Sequence, residues 1–144
     1  MSEIERESFM IVDLEEKEES GSFELKGGGK VYLKLRNEAD EKEIRAACVK
    51  LVVEYPLLDG KYQRFESEKT DMTLFVEMCW DKNITGWDDL FDCKEKPIPV
   101  TKENKILLMK MVPLFRETVE KGLQALKEVE TARAEAAEKN LLNG

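Results

Sequence analysis

Hydrophobic and polar positions alternate in the stretch SFELKGGGKVYLKLR. Phe23 and Leu25 stand before three glycines, and apolar side chains recur at every second position from Val31 to Leu35. A period of two is typical of β-strands, and glycine permits a tight turn between them. The pattern therefore predicts a β-hairpin near residues 22–36.

The three glycines, Gly27 to Gly29, also invite comparison with a phosphate-binding loop. Such a loop ends in Gly-Lys-Ser/Thr and opens directly into a helix. Here the glycines are followed by Lys30 and by the second alternating run. A permissive turn is therefore favoured over a nucleotide site.

The apolar spacing then changes to the three-and-four pattern of amphipathic helices. Asp40 and Glu43 have the spacing of a capping box at a helix start, and an apolar stripe follows them. This pattern predicts a helix near residues 40–54, which ends before Pro56 because proline disfavours helical backbone. A second helix is predicted near residues 67–81.

Two more helices are predicted after residue 100. Thr101 is a natural N-cap for the run ENKILLMKM. Pro113 suits the first turn of a helix, because its missing N–H has no partner there. These starts predict helices near residues 102–112 and 113–137.

The segment ITGWDDLFDCKEKPIPVTKEN, residues 84–104, is interpreted as the connector before these helices. Pro97 and Pro99 force extended backbone, so rigid spacing is favoured over a proline-rich ligand motif. Trp80 and Trp87 are expected to cover the core, and a role as binding anchors is the less favoured alternative.

Length and composition fit one domain. With 144 residues and 42% hydrophobic content, the chain can form a single core. The predicted fold class is mainly α, a small helical bundle with an N-terminal β-hairpin. Residues 22–138 are expected to form this domain, between a flexible acidic N-terminal arm (1–21) and a C-terminal tail (139–144).

The acidic charge is concentrated near the N-terminus. Residues 1–24 hold nine acids against two bases, which gives −7 of the total net charge of −8. The remaining chain is nearly neutral, and without a dense basic block we expect no nucleic-acid binding. The apolar run SFMIVDL, residues 8–14, interrupts the acidic arm and is interpreted as a short strand or a docking peptide.

Histidine, the commonest general base in enzymes, is missing from the sequence. The chain has no histidine, and its three cysteines, Cys48, Cys79 and Cys93, form no Cys-x-x-Cys pair. The commonest metal ligand is therefore absent together with the commonest general base, and without a Cys-x-x-Cys pair a structural zinc site is not expected. The wide cysteine spacing fits reduced thiols. We expect a protein that is not an enzyme and that uses no cofactor or metal.

Membrane association is not predicted either. No run approaches the roughly 20 apolar residues that a membrane helix needs. The first residues, MSEIERESFM, have neither the basic end nor the apolar core of a signal peptide. We therefore expect a cytoplasmic protein.

The last predicted helix carries a candidate interaction seam. Apolar or small residues recur four and three positions apart, at Phe115, Val119, Gly122, Leu126 and Val129. Such a seam can pack inside the domain or against a partner helix, and internal packing is favoured. For a partner helix, the candidate binding residues are Phe115, Val119, Leu126 and Val129.

Several short motifs resemble those of tail assembly chaperones from long-tailed bacteriophages and prophages. They are Gly86-Trp87-Asp88-Asp89-Leu90, then Lys96-Pro97-Ile98-Pro99-Val100-Thr101, then Glu103-Asn104 before a Leu-rich helix. The upstream GKVYLKLRNEADEKEI is similar to a strand that leads into the family's first helix, and AEKN fits its ending. The likeness covers roughly residues 28–140. Asp89 and Lys96 depart from the pattern, which has glycine at both positions.

This resemblance implies a non-enzymatic chaperone that coats the tape-measure protein and keeps its long hydrophobic helices in solution. It also implies help in recruiting tail-tube subunits before the chaperone is displaced. The partner would be the tape-measure protein or another tail protein, and a homo-oligomer is compatible with this role. The family often makes a longer form by ribosomal frameshifting, and this chain would correspond to the short form.

Two alternatives come from other functional classes. The first is an acidic inhibitor or nucleic-acid mimic that acts through its N-terminal arm. The second is a catalytically silent enzyme subunit. A long coiled-coil-rich reading frame immediately downstream of the gene would favour the chaperone.

Overall fold

The computed structural model describes residues 20–143. Most of the acidic arm and the whole of the run at residues 8–14 lie outside this range. The interpretation of that run as a strand or docking peptide therefore stays a prediction.

The described chain alternates short strands with helices. In order, the elements are β1 (Ser20–Glu24), β2 (Lys30–Lys34), α1 (Glu38–Cys48), β3 (Val49–Glu54), β4 (Leu57–Leu58), β5 (Lys61–Tyr62), β6 (Phe65–Thr70), α2 (Met72–Asn83), β7 (Ile84–Asp88), α3 (Lys102–Met111) and α4 (Pro113–Asn143). Of the residues that the structure describes, the four helices make up 51% and the strands about 27%. The fold is mixed α/β, which corrects the predicted helical bundle, whereas the predicted N-terminal hairpin is confirmed.

Three antiparallel strands form a sheet in the order β1-β2-β7. We call this sheet and the helices around it the body of the protein. The hairpin pairs Ser20 with Lys34 and Glu24 with Lys30, as its period of two predicts. Strand β7, which the sequence did not reveal, pairs with the other edge of β2, and the register shifts between Tyr32 and Leu33. The segment read as a connector thus begins as a strand of the sheet.

Helix α4 covers this sheet and closes the main core. It packs on β1 and β2, while α3 packs between α2 and α4. The sheet contributes Val31, Leu33 and Ile84, and α4 contributes Phe115 and Val119, all at most 2% exposed. Burial of such side chains contributes about 1.5–3 kcal/mol each, so this layer holds the fold together.

A smaller core lies between α1 and α2. It contains Ile44, Cys48 and Cys79. Helix α1 begins at Glu38, two residues before the predicted start, and its capping box lies one turn earlier than predicted. Asn37 is the N-cap, and Asp40 is the third helical residue of the box. Asp40 also accepts a hydrogen bond from Lys34 Nζ at 3.0 Å, which ties α1 to β2.

A long β-hairpin projects between α1 and α2, and we call residues 49–70 the hairpin arm. Strand β3 pairs with β6 from Val49↔Thr70 to Glu54↔Phe65, and β4 pairs with β5 in the same register at the tip. The predicted helices near 40–54 and 67–81 are therefore too long toward the arm. They end at Cys48 and begin at Met72.

The turn at the tip of the hairpin arm and the starts of α3 and α4 follow local sequence preferences. The turn at the tip uses Asp59 and Gly60 with φ of 53° and 78°, the left-handed pair that a two-residue hairpin turn requires. Thr101 caps α3, and α4 begins at Pro113, as predicted. Helix α4 continues to Asn143 and thus includes most of the predicted C-terminal tail.

Candidate partner-binding surfaces

The four candidate residues on α4 have different environments. Phe115, Val119 and Leu126 are 2%, 0% and 7% exposed, and they belong to the main core. Val129 is 44% exposed. Phe115, Val119 and Leu126 therefore pack inside the domain, which was the favoured alternative for the seam. Of the four candidates, Val129 alone lies at the surface.

Close packing explains why this part of α4 faces inward. The rings of Trp87 and Phe115 meet edge to face, with centroids 6.0 Å apart and planes at 87°. A Cβ atom on Gly122 would lie 2.6 Å from Leu33 Cδ1 and 2.9 Å from Phe23 Cδ2. The missing side chain of Gly122 lets the sheet approach the helix.

A different apolar surface lies where α3 meets α4. We call it the junction surface and define it by Leu107, Met111, Val112 and Leu114, which are 57%, 70%, 38% and 51% exposed. Leu107 and Met111 are one helical turn apart and share a face. Met109, on the opposite side of α3, is buried, so Leu107 and Met111 form the outer face of this helix within the junction surface.

A groove extends the junction surface along α4. It has a volume of about 310 Å³ and lies between β1 and the first half of the helix. Phe23, Leu114 and Ala125 provide apolar lining, and Lys26, Glu117 and Lys121 provide charge. Leu114, one of the residues that define the junction surface, is also part of the lining of this groove.

The segment 84–104 fixes the position of α3. Trp87 donates from its indole nitrogen to the carbonyl oxygen of Ile98 at 2.8 Å. Asn104 donates from Nδ2 to the carbonyl oxygen of Pro99 at 2.9 Å, and its backbone N–H donates to Thr101 Oγ1 at 3.1 Å. These bonds attach the proline segment to the sheet at one end and to the helix start at the other.

Ion pairs attach α3 to α2 from the other side. Lys105 Nζ lies 3.1 Å from Asp81 Oδ1 and also donates to the carbonyl oxygen of Asp81. Lys110 Nζ lies 4.0 Å from Glu77 Oε1. The outer face of α3 is therefore presented by a helix that is held on two sides.

The hairpin arm is the second exposed apolar region. Its large apolar side chains are between 37% and 75% exposed: Leu51, Val53, Tyr55, Leu57, Leu58, Tyr62 and Phe65. Between β3 and the sheet of the body there is no strand pairing in the described chain. The arm thus exposes apolar side chains without a covering layer.

Ionisable side chains do not converge on a reactive centre in the part of the chain that the structure describes. Burial raises the pKa of the Cys79 thiol, which keeps that thiol protonated and unreactive. A cleft of about 410 Å³ beside α4 contains Arg36 and Glu41, but these two side chains pair with each other at 2.8 Å. Among residues 20–143, no group of three His, Cys, Asp or Glu side chains could hold a metal ion.

No protein-family model matches the chain, and no curated protein and no solved structure matches it. Within the described range, no helix is both long enough and apolar enough to cross a membrane. The features that bear on function are therefore the exposed surfaces of this molecule and the motifs of its sequence.

Sequence reasoning missed both exposed surfaces for different reasons. Leu107 and Met111 have helical spacing, but nothing in ENKILLMKM says which face is covered by the sheet and α4. The arm has apolar residues on β3 and charged residues on β6, so no amphipathic period marks β6 as a strand. A cluster of apolar residues flanking the turn signal Asp59-Gly60 was the available clue.

Proposed function

We propose that this protein is a non-enzymatic tail assembly chaperone that binds an apolar helical segment of a bacteriophage tape-measure protein. The observation that carries the proposal is the junction surface, whose apolar side chains are 38% to 70% exposed. Exposed contiguous apolar patches on a folded domain mark sites of protein interaction. An apolar helix that would otherwise aggregate is a fitting occupant, because it can lay its apolar face into such a surface.

The geometry of the resembled motifs supports the same proposal. Trp87, Pro99 and Asn104 belong to those motifs, and their hydrogen bonds position α3. The function of the motif segment is then to present the outer face of α3. Asp89, which stands where the chaperone pattern has glycine, has a φ of 56°, the left-handed conformation that glycine adopts most readily.

The proposed surface differs from the seam that the sequence suggested, although both lie after residue 100. A partner helix cannot reach Val119 or Leu126 without opening the core. It can reach Leu107, Met111 and Leu114 in the folded protein and continue into the groove beside α4. Binding by this route needs no rearrangement of the body, which is the usual case for preformed interfaces.

The test uses the protein encoded by the reading frame immediately downstream, if that frame is long and rich in coiled coil. Overlapping segments of it are titrated into the full chain by calorimetry. Leu107→Asp combined with Met111→Asp should abolish binding, because a charge placed in an apolar contact is desolvated without a partner. Both positions are exposed, so circular dichroism should show an intact fold.

Val129→Asp is the matched control, since Val129 is an exposed apolar residue of α4 outside the junction surface. It should leave the affinity within about twofold, because an exposed substitution away from a contact changes little. Loss of binding in this control, with binding retained in the Leu107/Met111 variant, would move the site to the distal part of α4 and overturn the proposal.

Salt separates the chaperone from the acidic mimic. Apolar binding should barely change between low and physiological ionic strength, where the screening length falls to about 8 Å. An affinity that falls sharply as salt is added, and that does not change with the substitutions at Leu107 and Met111, would point to the acidic segment at residues 1–24. The chaperone proposal would then be wrong.

A further inference from the structure

The outer edge of β3 in the hairpin arm has backbone groups that can form hydrogen bonds with a further strand. Asp71 N–H donates to the Cys48 carbonyl at 2.9 Å, and Gln63 N–H donates to the Pro56 carbonyl at 3.1 Å. Both bonds continue the register of the β3–β6 pair, and both join an even-numbered residue, Cys48 or Pro56, to its opposite residue. Because hydrogen-bonded pairs recur at every second residue of an antiparallel pair, the even-numbered residues of β3 bond to β6. The odd-numbered Leu51 and Val53 therefore direct their backbone N–H and C=O groups outward.

Charge distinguishes the edges as well. Strand β6 reads FESEKT and carries Glu66, Glu68 and Lys69, a composition that discourages further strand pairing. Strand β3 reads VKLVVE, with apolar residues at its centre and one charge near each end. In the described chain β3 pairs with β6 alone. The outer edge of β3 is thus the edge suited to accept another strand.

A second copy of β3 is the strand that fits this edge. In a two-fold antiparallel pair of β3 strands, the backbone N–H and C=O groups that point outward from one copy must bond to those of the other copy. Odd-numbered residues, which carry these groups, must therefore lie opposite odd-numbered residues. The two-fold axis then passes through Leu51, Val52 or Val53. An axis at Leu51 places Lys50 opposite a valine, and an axis at Val53 places Lys50 opposite Pro56.

Only the axis at Val52 matches the charges. It places Lys50 opposite Glu54 of the second copy, and symmetry repeats this pair. On the other face it places Leu51 opposite Val53. Opposite charges and aliphatic side chains directly across an antiparallel pair are both stabilising. The other two registers keep aliphatic pairs but lose the pairing of Lys50 with Glu54, so the charges select the axis at Val52.

The same register fills a pocket at the base of the arm. This pocket, of about 300 Å³, is lined by Val49, Thr70 and Phe75 together with Glu41, Lys42 and Arg45. The register places Tyr55 of the second copy opposite Val49, with its side chain on the face that carries Val49. Tyr55 is 60% exposed in the single chain, and its ring and hydroxyl suit a pocket with an apolar floor and a charged rim.

We propose that the protein forms a two-fold dimer in which the β3 edges of two arms pair antiparallel about Val52, with Tyr55 of each copy in the pocket beside Val49 of the other. The arms then form one four-stranded sheet in the order β6-β3-β3-β6. This inference does not depend on the proposed function, and its tests use no tail protein.

Cross-linking tests the register directly. Val52 faces itself across the axis in a pair without mutual hydrogen bonds, where Cα atoms are about 4.5 Å apart, within the range of disulfides. Val52→Cys, made with Cys93→Ser to remove the exposed native thiol, should form a covalent dimer on mild oxidation. Lys50→Cys in the same background should not, because Lys50 opposes Glu54.

Charge reversal tests the same contact without covalent chemistry. Lys50→Glu should raise the dimer dissociation constant by about tenfold, because two attractive pairs become repulsive. Glu54→Lys should do the same. An equal mixture of the two variants should restore dimerisation as a heterodimer, since each glutamate then faces a lysine. Residues four apart in one strand are roughly 13 Å apart, so rescue within one chain is not expected.

Analytical ultracentrifugation of the full chain decides the outcome. A dimer whose variants recover on mixing supports the proposal. A wild-type protein that stays monomeric up to about 100 µM would overturn it, and the β3 edge would then belong to another strand, of this chain or of a partner. A dimer that cross-links through Lys50→Cys, or whose dissociation constant changes with neither charge reversal, would overturn the proposed register.

Discussion

The body and the hairpin arm contain antiparallel strands of similar length in opposite environments. In β2 every second side chain is buried, with Val31 and Leu33 at 0% and 1% exposure. In β3 of the arm none is fully buried, and Leu51 remains 62% exposed. The difference lies in what covers each sheet, because α4 packs on β1 and β2 whereas the arm has no such layer.

The comparison shows that strand pairing and strand burial are separate properties. A two-stranded hairpin is marginal by itself in water and needs a covering layer or further strands. The arm obtains local support from six paired positions and from the Asp59-Gly60 turn, and it is anchored at both ends by helices. Its apolar face stays available for a partner, which a covered sheet could not offer.

The largest expected effect comes from placing charge in the body. Val119→Asp should destabilise the protein by at least about 4 kcal/mol and leave little folded material, because the carboxylate would be buried without a partner. Val129→Asp, on the same helix but 44% exposed, should cost less than about 1 kcal/mol. Urea denaturation followed by circular dichroism measures both. Equal costs would contradict the difference between the two halves of α4.

The same substitution, phenylalanine to alanine, can be made once in the body and once in the hairpin arm, so that a difference in stability reports only the environment of the side chain. Phe115→Ala should cost about 3–5 kcal/mol, because it removes a buried ring and leaves a cavity beside Trp87. Phe65→Ala should cost less than about 1 kcal/mol, since Phe65 is 54% exposed on the arm. The measurement is the free energy of unfolding at a concentration where the chain is monomeric. A large loss at Phe65 would mean that the arm has a covering layer after all.

The attachment of α1, the helix that leads into the hairpin arm, to β2 of the body should depend on pH through Asp40. Burial alone would raise the pKa of Asp40, but hydrogen bonds from Lys34 and from the Asn37 backbone, with the charges of Lys34 and Lys82, outweigh it and lower the pKa. Asp40→Asn should therefore cost about 1–2 kcal/mol at pH 7, because it weakens the ion pair and capping box that hold α1.

The sign of the pH dependence follows from the lowered pKa. The contribution of Asp40 is fully present above its unfolded pKa of about 3.9 and is lost as the pH falls through the lower folded value. Urea denaturation of wild type and variant should show a constant difference from pH 7 to about 5, which shrinks below about 4. A difference that grows toward acid pH would contradict this account.

The smallest effect is expected from removing the first 19 residues. This deletion leaves β1, which begins at Ser20, intact. Because an acidic composition of this kind is expected to contribute little to a packed core, the melting temperature should change by no more than about 2 °C. Scanning calorimetry of the full and shortened chains provides the measurement. A larger decrease would indicate that the run SFMIVDL forms part of the fold.

The sequence by itself determined the elements whose signals are local. The alternation from Phe23 to Leu35 gave the first hairpin, because a half-buried strand must alternate. Thr101 and Pro113 gave the starts of α3 and α4, because capping and proline act on the nearest turn. These features need no knowledge of distant residues.

Tertiary structure decided the elements whose signals are distorted or missing. The register shift opposite Tyr32 and Leu33 puts the buried Ile84 and Trp87 three positions apart, a spacing typical of a helix, so β7 was not recognised as a strand. The helical spacing of apolar residues in α1 continues into β3, although the chain changes from helix to strand after Cys48. A strand that is buried on one face must alternate apolar and polar residues. The hairpin arm, which nothing covers in the described chain, is under no such constraint, so its sequence does not show the alternation that predicts a strand.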